Sequence, residues 1–338
     1  MKRIRIGQIG ICHEHAAGTI ETLRKLPEVF EVVGVVDDRR TTAARFAGDN
    51  LKPYDGLTWM TEDELLGASG LQAVTVEVPN ADLVPTAIRC MERRLAIHMD
   101  KPGGEDMGLF RTLRGGCAQR GIPFQMGYMF RTNPAIRFCQ RIVRERWLGD
   151  VFEIQASMSH DYGDEGYRRY LSHFKGGIMF NLGCHLIDFI LPMLGRPEGV
   201  VPFLKSTVGA AGARDNCVSV LEYPHATVTL RACGREVDGS NQRRLKICGT
   251  EGSVELCPLE RFDGKPLQVQ LRLRHGNAEY AAGTHTVDFG IQEDRYVGQM
   301  LEFAKRVRGE SGCEYDCDHD CLVQEVLLAA SGCCRWRG

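Results

Sequence analysis

An excess of charge of either sign is missing: 42 Lys and Arg stand against 44 Asp and Glu, for a formal net charge of −2. Neither nucleic acid nor an anionic membrane surface is therefore the expected partner, and a small molecule is. Long hydrophobic runs are missing too, because the greasiest stretch, Leu186 to Leu194, is interrupted by Asp188 and Pro192, so no membrane span is expected. No two of the 14 cysteines form a Cys-x-x-Cys pair, and they are scattered over 338 residues. That excludes the disulfide framework of a small secreted domain and favours the reducing cytoplasm. The basic start, Met1 to Ile6, resembles the beginning of a signal peptide, but Gln8 and His13-Glu14-His15 cut its apolar run. A mature cytoplasmic chain is the expectation.

What is present is a change of texture along the chain. Up to about residue 126, short apolar runs at Ile4–Ile11, Phe30–Val36, Ala73–Val78, Leu95–Met99 and Pro123–Met126 alternate with segments of helical periodicity: Ala16–Leu26, Thr41–Ala47, Glu62–Leu66, Asp82–Arg93 and Glu105–Arg120. Thr61 and Glu64 have capping-box spacing. Buried strands joined by crossover helices predict a parallel, doubly wound sheet. From residue 127 onward, strands at Val151–Ser159, Cys217–Tyr223, Thr227–Cys233, Arg244–Cys248, Ser253–Leu256 and Leu267–Leu273 follow through short turns such as Pro224-His225 and Gly249-Thr250-Glu251-Gly252. This predicts a mostly antiparallel sheet. One helix, Ile178 to Leu194, precedes the later strands, and two more, Glu293–Arg308 and His319–Ser331, close the chain. The expected domains are thus 1–126, α/β, and 127–338, α+β with a mostly antiparallel sheet.

The first strand runs into Gly10-Ile11-Cys12-His13 and then a helix, the place where a Rossmann domain holds a pyrophosphate on backbone amides at a helix N-terminus. Only the first of three glycines is in place, with Cys12 and His15 where the others would fall. Asp37, at the end of the second strand, is positioned to accept a hydrogen bond from an adenosine ribose and to repel a 2′-phosphate. NAD is favoured, with NADP admitted by the neighbouring Arg39 and Arg40.

Two further strands end in Val78-Pro79-Asn80 and Asp100-Lys101-Pro102, at the carboxyl edge where open α/β sheets bind ligands. In an α-helix from Ile178, Asn181, His185 and Asp188 would share one face. Arg131 and Asn133 follow the last Rossmann strand and are candidates to face cofactor or substrate. The segment His160 to Tyr170, including Tyr162, has the aromatic and polar composition of a sugar-facing loop. Cys313, Cys317, His319 and Cys321 lack the spacing of a zinc knuckle, and no metal site is expected.

In this order, Gly10, Asp37, Pro79-Asn80, Asp100-Lys101-Pro102, Gly176-Gly177 with Asn181 and His185, and the tail Glu325 to Gly332 resemble the glucose-fructose oxidoreductase, inositol dehydrogenase and rhizopine-catabolism family, Gfo/Idh/MocA. The resemblance implies an N-terminal NAD(P)-binding Rossmann domain and an open-faced C-terminal substrate-binding sheet, through which dimers or tetramers form. It implies that Lys101 reaches the reacting oxygen and the nicotinamide ribose, and that His185 is the acid or base. The chain departs from the family in having Asp100 for a glutamate, Asn181 for an aspartate, Cys12 for a glycine and Leu83 for a histidine. An amide at 181 can orient a hydroxyl but cannot take its proton.

The resulting expectation is an NAD(P)-dependent dehydrogenase or reductase of a sugar, polyol or related cyclic alcohol, assembled as a homodimer or homotetramer. Lys101, His185 and Asn181 would be catalytic. Gly10, Ile11, Cys12, His13, Asp37, Pro79, Asn80, Asp100, Lys101 and Pro102 would bind cofactor, and Lys101, Arg131, Tyr162, Asn181 and His185 would bind substrate. The alternatives are a redox-assisted glycosidase or lyase of the same family and a nucleotide-binding regulator without turnover.

Overall fold

A computed structural model describes residues 2–40, 47–162, 165–209, 212–310 and 314–338. Of the expected helix Thr41–Ala47 only Ala47 is described, and Gly163, Asp164 and Cys313 lie outside these residues. The chain forms two compact units: residues 1–128 with 296–324, and residues 129–295 with 325–338.

The first unit is built on six parallel strands, β1 Ile4–Ile9, β2 Phe30–Val36, β3 Trp59–Met60, β4 Ala73–Val76, β5 Ala96–Met99 and β6 Phe124–Met126, in the order β3-β2-β1-β4-β5-β6. β4 and β5 are buried at every residue, as expected of central strands covered on both faces. The crossovers carry α1 Ala16–Lys25, α2 Glu62–Leu66, α3 Asn80–Glu92 and α4 Met107–Gln119. The Thr61–Glu64 capping box starts α2, with both reciprocal bonds made. Strand order reverses between β1 and β4, so the loops leaving these strands diverge and open a crevice at their carboxyl ends.

The second unit contains α5 Pro134–Arg144, β7 Val151–Ser159, α6 Glu165–Leu171, α7 Cys184–Leu194, β8 Gly199–Lys205, β9 Asn216–Glu222, β10 Thr227–Cys233, β11 Arg244–Gly249, β12 Gly252–Leu256, β13 Pro266–Leu273 and β14 Gly283–Ile291. Its eight strands pair as β14-β13-β12-β11-β7-β10-β9-β8, all antiparallel except β7 with β10. Strict alternation in β9, buried at Cys217, Ser219 and Leu221 and partly open between them, marks a sheet with one covered and one open face. The open face is apolar at its β8 edge, where Val201 and Phe203 are exposed. It is polar at its centre, around Gln155, Ser157, Thr229, Arg231 and Arg244.

The last helices are α8 Val297–Arg308 and α9 Cys317–Ala330. Instead of completing a continuous 127–338 domain, α8 and the part of α9 up to Gln324 group with the first unit. The apolar side of α8 explains this, because Met300, Phe303 and Ala304 join Ile4, Ile20 and Phe30 in one buried cluster. Among the described residues, no helix is long and apolar enough to cross a membrane.

Candidate active site

The β1–α1 loop is held where the strand order reverses. Gly10 has φ +95°, and a Cβ there would come within 2.7 Å of the Glu77 carbonyl, so the first glycine position cannot be filled. Asp38, buried after β2, accepts from the Ile11 amide at 2.8 Å and braces the loop. Cys12, at the second glycine position, is accommodated because its Sγ lies over Gly48, at 3.1 Å from where a Cβ would be. A cavity of about 450 Å³ opens beyond the ends of β1 and β2, lined by Ile9, Val36, Asp37, Asp38 and Val78 among others. Glycine, cavity and acidic residue fit the adenosine half of a dinucleotide. Asp37 reaches that cavity already engaged by Arg39, whose Nε and terminal nitrogen donate to it at 2.9 and 2.6 Å. This hydrogen bonding holds the Asp37 carboxyl below its usual range.

At the carboxyl ends of β4 and β5 the structure brings together His13, Asn80, Asp100 and Lys101 from the sequence-derived set, and adds Glu14, His15 and Glu77. Lys101 is fully buried, and its Nζ donates to Glu14 Oε1 at 3.0 Å. Asp100 receives the Lys101 amide at 2.6 Å and faces His15 Nδ1 at 2.9 Å and His13 Nδ1 at 3.1 Å. On its other side, His13 Nε2 meets Asn80 Oδ1 at 2.9 Å. Pro79 precedes Asn80 at the start of α3, and Pro102 follows Lys101 through a cis peptide.

The charges act on one another strongly. Burial alone would raise the Glu14 carboxyl, but the Lys101 ammonium and the two imidazoles outweigh it and bring it down to about 2. Burial opposes ionisation of Asp100 as well, yet His13 and His15 hold it well below the usual carboxylate range. At Glu77 the balance goes the other way: burial, then the Asp100 charge, outweigh Thr19 and the more weakly acting Lys101 and push its carboxyl well above the usual value. Burial would lower the His13 imidazole, and Asp100 reverses this and raises it. Glu14, His15 and Glu77 were missed as site residues, although His13-Glu14-His15 at a strand end was a visible signal.

The other sequence-derived residues lie in the second unit. Met179–Gly183 winds as a π-helical turn, and only Cys184–Leu194 is α-helical, so Asn181 and His185 are not one α-helical turn apart as expected. The chain enters this turn with Gly177 at φ +53° pressed against the Arg214 carbonyl, which also accepts from the Ile178 amide at 2.7 Å. Such π turns recur at functional sites. Asn181 Nδ2 donates to the Tyr167 hydroxyl at 3.2 Å, and buried His185 meets the Phe130 ring edge-on at 5.8 Å.

Asp188, which could have oriented His185, is instead gripped by Arg131, whose two nitrogens donate to it at 2.7 and 3.1 Å. Arg131 is thereby a buried strut for α7 rather than an open substrate ligand. Asn133 caps α5, accepting from Ala135 and Ile136 at 3.0 and 3.1 Å. The expected loop His160 to Tyr170 becomes helical from Glu165. Tyr162, 42% exposed, stacks on His160 with ring centroids 4.0 Å apart.

Residues 136–255 match the family model described as the GFO/IDH/MocA C-terminal domain. That segment of the second unit is thereby matched to the Gfo/Idh/MocA C-terminal domains. It is 23% identical over 249 residues to the trans-1,2-dihydrobenzene-1,2-diol dehydrogenase of Sus scrofa, covering 70% of this chain and 71% of the relative. Among solved structures it resembles a 3-ketoreductase from Actinomadura kijaniata in complex with NADP and TDP-benzene, with TM-score 0.79, 17% identity and 98% of both chains covered. It also resembles a protein of gentamicin A biosynthesis in complex with NAD, with TM-score 0.79, 20% identity, and 100% of this chain and 97% of the other covered. These structural likenesses extend over both units and show a shared fold.

Proposed function

We propose that this Gfo/Idh/MocA oxidoreductase moves a hydride between NAD(P) and a hydroxyl-bearing or keto carbon of a sugar, polyol or related cyclic alcohol. The observation that carries the reading is Lys101, a buried ammonium held by Glu14 at the carboxyl edge of a dinucleotide-type sheet. When bound, the nicotinamide supplies the hydride acceptor or donor. The β1–α1 loop from Gly10 to His13, with Pro79, Asn80, Asp100 and Pro102, forms its bed, and Asp37 takes the adenosine ribose.

Lys101 stabilises negative charge growing on the substrate oxygen, where a preorganised cation in a dry site acts most strongly. His185 takes the hydroxyl proton on oxidation and returns it on reduction. Asn181 orients a hydroxyl through its amide, Tyr162 offers an exposed ring to the substrate, and Arg131 contributes by fixing α7 through Asp188. The relatives' names support the substrate class, since one acts on a cyclic diol and another is a 3-ketoreductase. The apolar β8 edge of the open face, with Val201 and Phe203 exposed, supports assembly as a homodimer or homotetramer.

The test is to follow reduced nicotinamide at its near-ultraviolet band with NAD or NADP and a panel of cyclic diols, polyols and sugars. Lys101→Ala should lower kcat by about a hundredfold or more while leaving dinucleotide binding intact; unchanged turnover would remove the lysine from the chemistry. Asp37→Ala should weaken NAD relative to NADP by about tenfold, the effect of losing one hydrogen bond to a charged group. An unchanged ratio would show that Asp37 does not hold the ribose.

A further inference from the structure

We propose that His13, His15, Asp100 and Glu77 bind one divalent transition-metal ion of the zinc class. One ligand atom from each of His13, His15 and Asp100 can be chosen so that all three lie within 4.8 Å of one another. Asp100 Oδ2 is 3.1 Å from His13 Nδ1 and 2.9 Å from His15 Nδ1. Tetrahedral ligands at zinc–nitrogen and zinc–oxygen distances of about 2.0–2.2 Å stand roughly 3.3 Å apart, so a slight widening of these two pairs, with the imidazoles turned toward a common centre, would seat the ion.

An independent observation supplies the fourth ligand. Glu77 is wholly buried, its carboxyl lies against Asp100 and Thr19, and no hydrogen bond of standard geometry reaches either of its oxygens from the described residues. Its Oε2 lies 3.8 Å from the same His13 Nδ1 that Asp100 approaches. Two buried carboxylates directed at one imidazole nitrogen repel each other in a medium of low dielectric, and a divalent cation removes that conflict. Lys101 and Glu14 form an ion pair beside them, so the two carboxylates remain to balance an ion of charge +2.

The surroundings match those of metal-binding imidazoles, whose second nitrogen is normally anchored by a carbonyl or carboxylate. His13 Nε2 meets Asn80 Oδ1 at 2.9 Å, and His15 Nε2 points toward Glu14 Oε1 at 3.7 Å. The ligand stems are preset by backbone bonds: the His13 amide to the Glu77 carbonyl at 3.0 Å, Glu77 to Ile9 at 2.8 Å and Asp100 to Val76 at 3.1 Å. Two imidazoles and two carboxylates suit zinc, or cobalt in its place, better than the all-oxygen sites of calcium and magnesium. Four protein ligands make a closed, structural site. The ion would tie the loop after β1 to the ends of β4 and β5, fixing a loop that lacks the second and third glycines.

The experiment is metal analysis of the purified full chain, followed by titration of the chelator-treated protein with Co²⁺. It is read by the visible absorption of tetrahedral cobalt and by thermal unfolding, both independent of turnover. About one zinc per chain as isolated, or one equivalent of cobalt bound with a raised Tm, is expected. His15→Asn, at a partly exposed ring, and Glu77→Gln should each weaken cobalt binding about tenfold or more, whereas His285→Asn on β14 should not. No cobalt uptake, or uptake unchanged in both ligand variants, would overturn the proposal. Neither result depends on whether the oxidoreductase reading holds.

Discussion

Buried charge occurs in both units, and the two arrangements differ in how completely it is matched. In the second unit Arg131 grips Asp188 with two nitrogens and Arg243 meets Glu260 with one, each a guanidinium facing a carboxylate inside the fold. In the first unit Asp100 serves two imidazoles and a backbone amide, while Glu77 is buried against Asp100, a carboxyl like itself, with no guanidinium among the described residues to match it. Burial of charge by itself therefore does not single out a site. Pairing of opposite charges holds a helix in place, whereas two carboxyls crowded together on a rigid sheet edge leave a conflict for something else to relieve.

That contrast can be broken by measurement. Asp188→Ala, which strands a buried guanidinium, should cost about 3–5 kcal/mol in urea unfolding. The double change Arg131→Met with Asp188→Leu should recover most of it; a small loss in the single variant would show that the pair is not a strut. Asn133→Ala removes a cap and should cost about 1 kcal/mol in the same assay, so a null result would return Asn133 to the list of ligand-binding candidates. Glu77→Gln in metal-free protein should change stability by less than about 1 kcal/mol, since the isosteric amide can still accept from Thr19 and donate to Asp100. A loss as large as that of Asp188→Ala would end the distinction between the two regions. The smallest effect is chemical: burial pushes the Cys90 and Cys139 thiols up to about 12. Both should stay unlabelled by an alkylating reagent at pH 8, while exposed Cys334 reacts.

Much of the first unit was legible because its strands are continuous apolar runs bounded by turn signals, and because the Thr61–Glu64 pattern has one structural meaning. The two-residue β3 carries no periodicity and was missed, as were α5, β8 and β14. The discontinuity of the units was hidden for a different reason: which sheet α8 would bury Met300 and Phe303 against is a tertiary choice that helical periodicity does not encode. At the site, Lys101, Asp100 and Asn80 were readable as strand-end residues. Helical spacing for Asn181 failed where the π turn intervenes, and the partners of Arg131 and Asp188 depend on residues 57 positions apart. Glu77 looked like one more residue before Pro79, since nothing local to a strand end announces that a carboxylate will be buried there.

The first unit's use of residues from both ends of the chain has a consequence during synthesis. Its core takes Met300, Phe303 and Ala304 from α8, yet residues 129–295 of the other unit are made in between. At about 5–20 residues per second, that interval of 167 residues lasts about ten to thirty seconds. Throughout it, the nascent β1–β6 sheet leaves the ribosome with the apolar seat of α8 uncovered. The chain must therefore wait, open and exposed to chaperones and aggregation, for a helix that is translated only after every strand of the other unit.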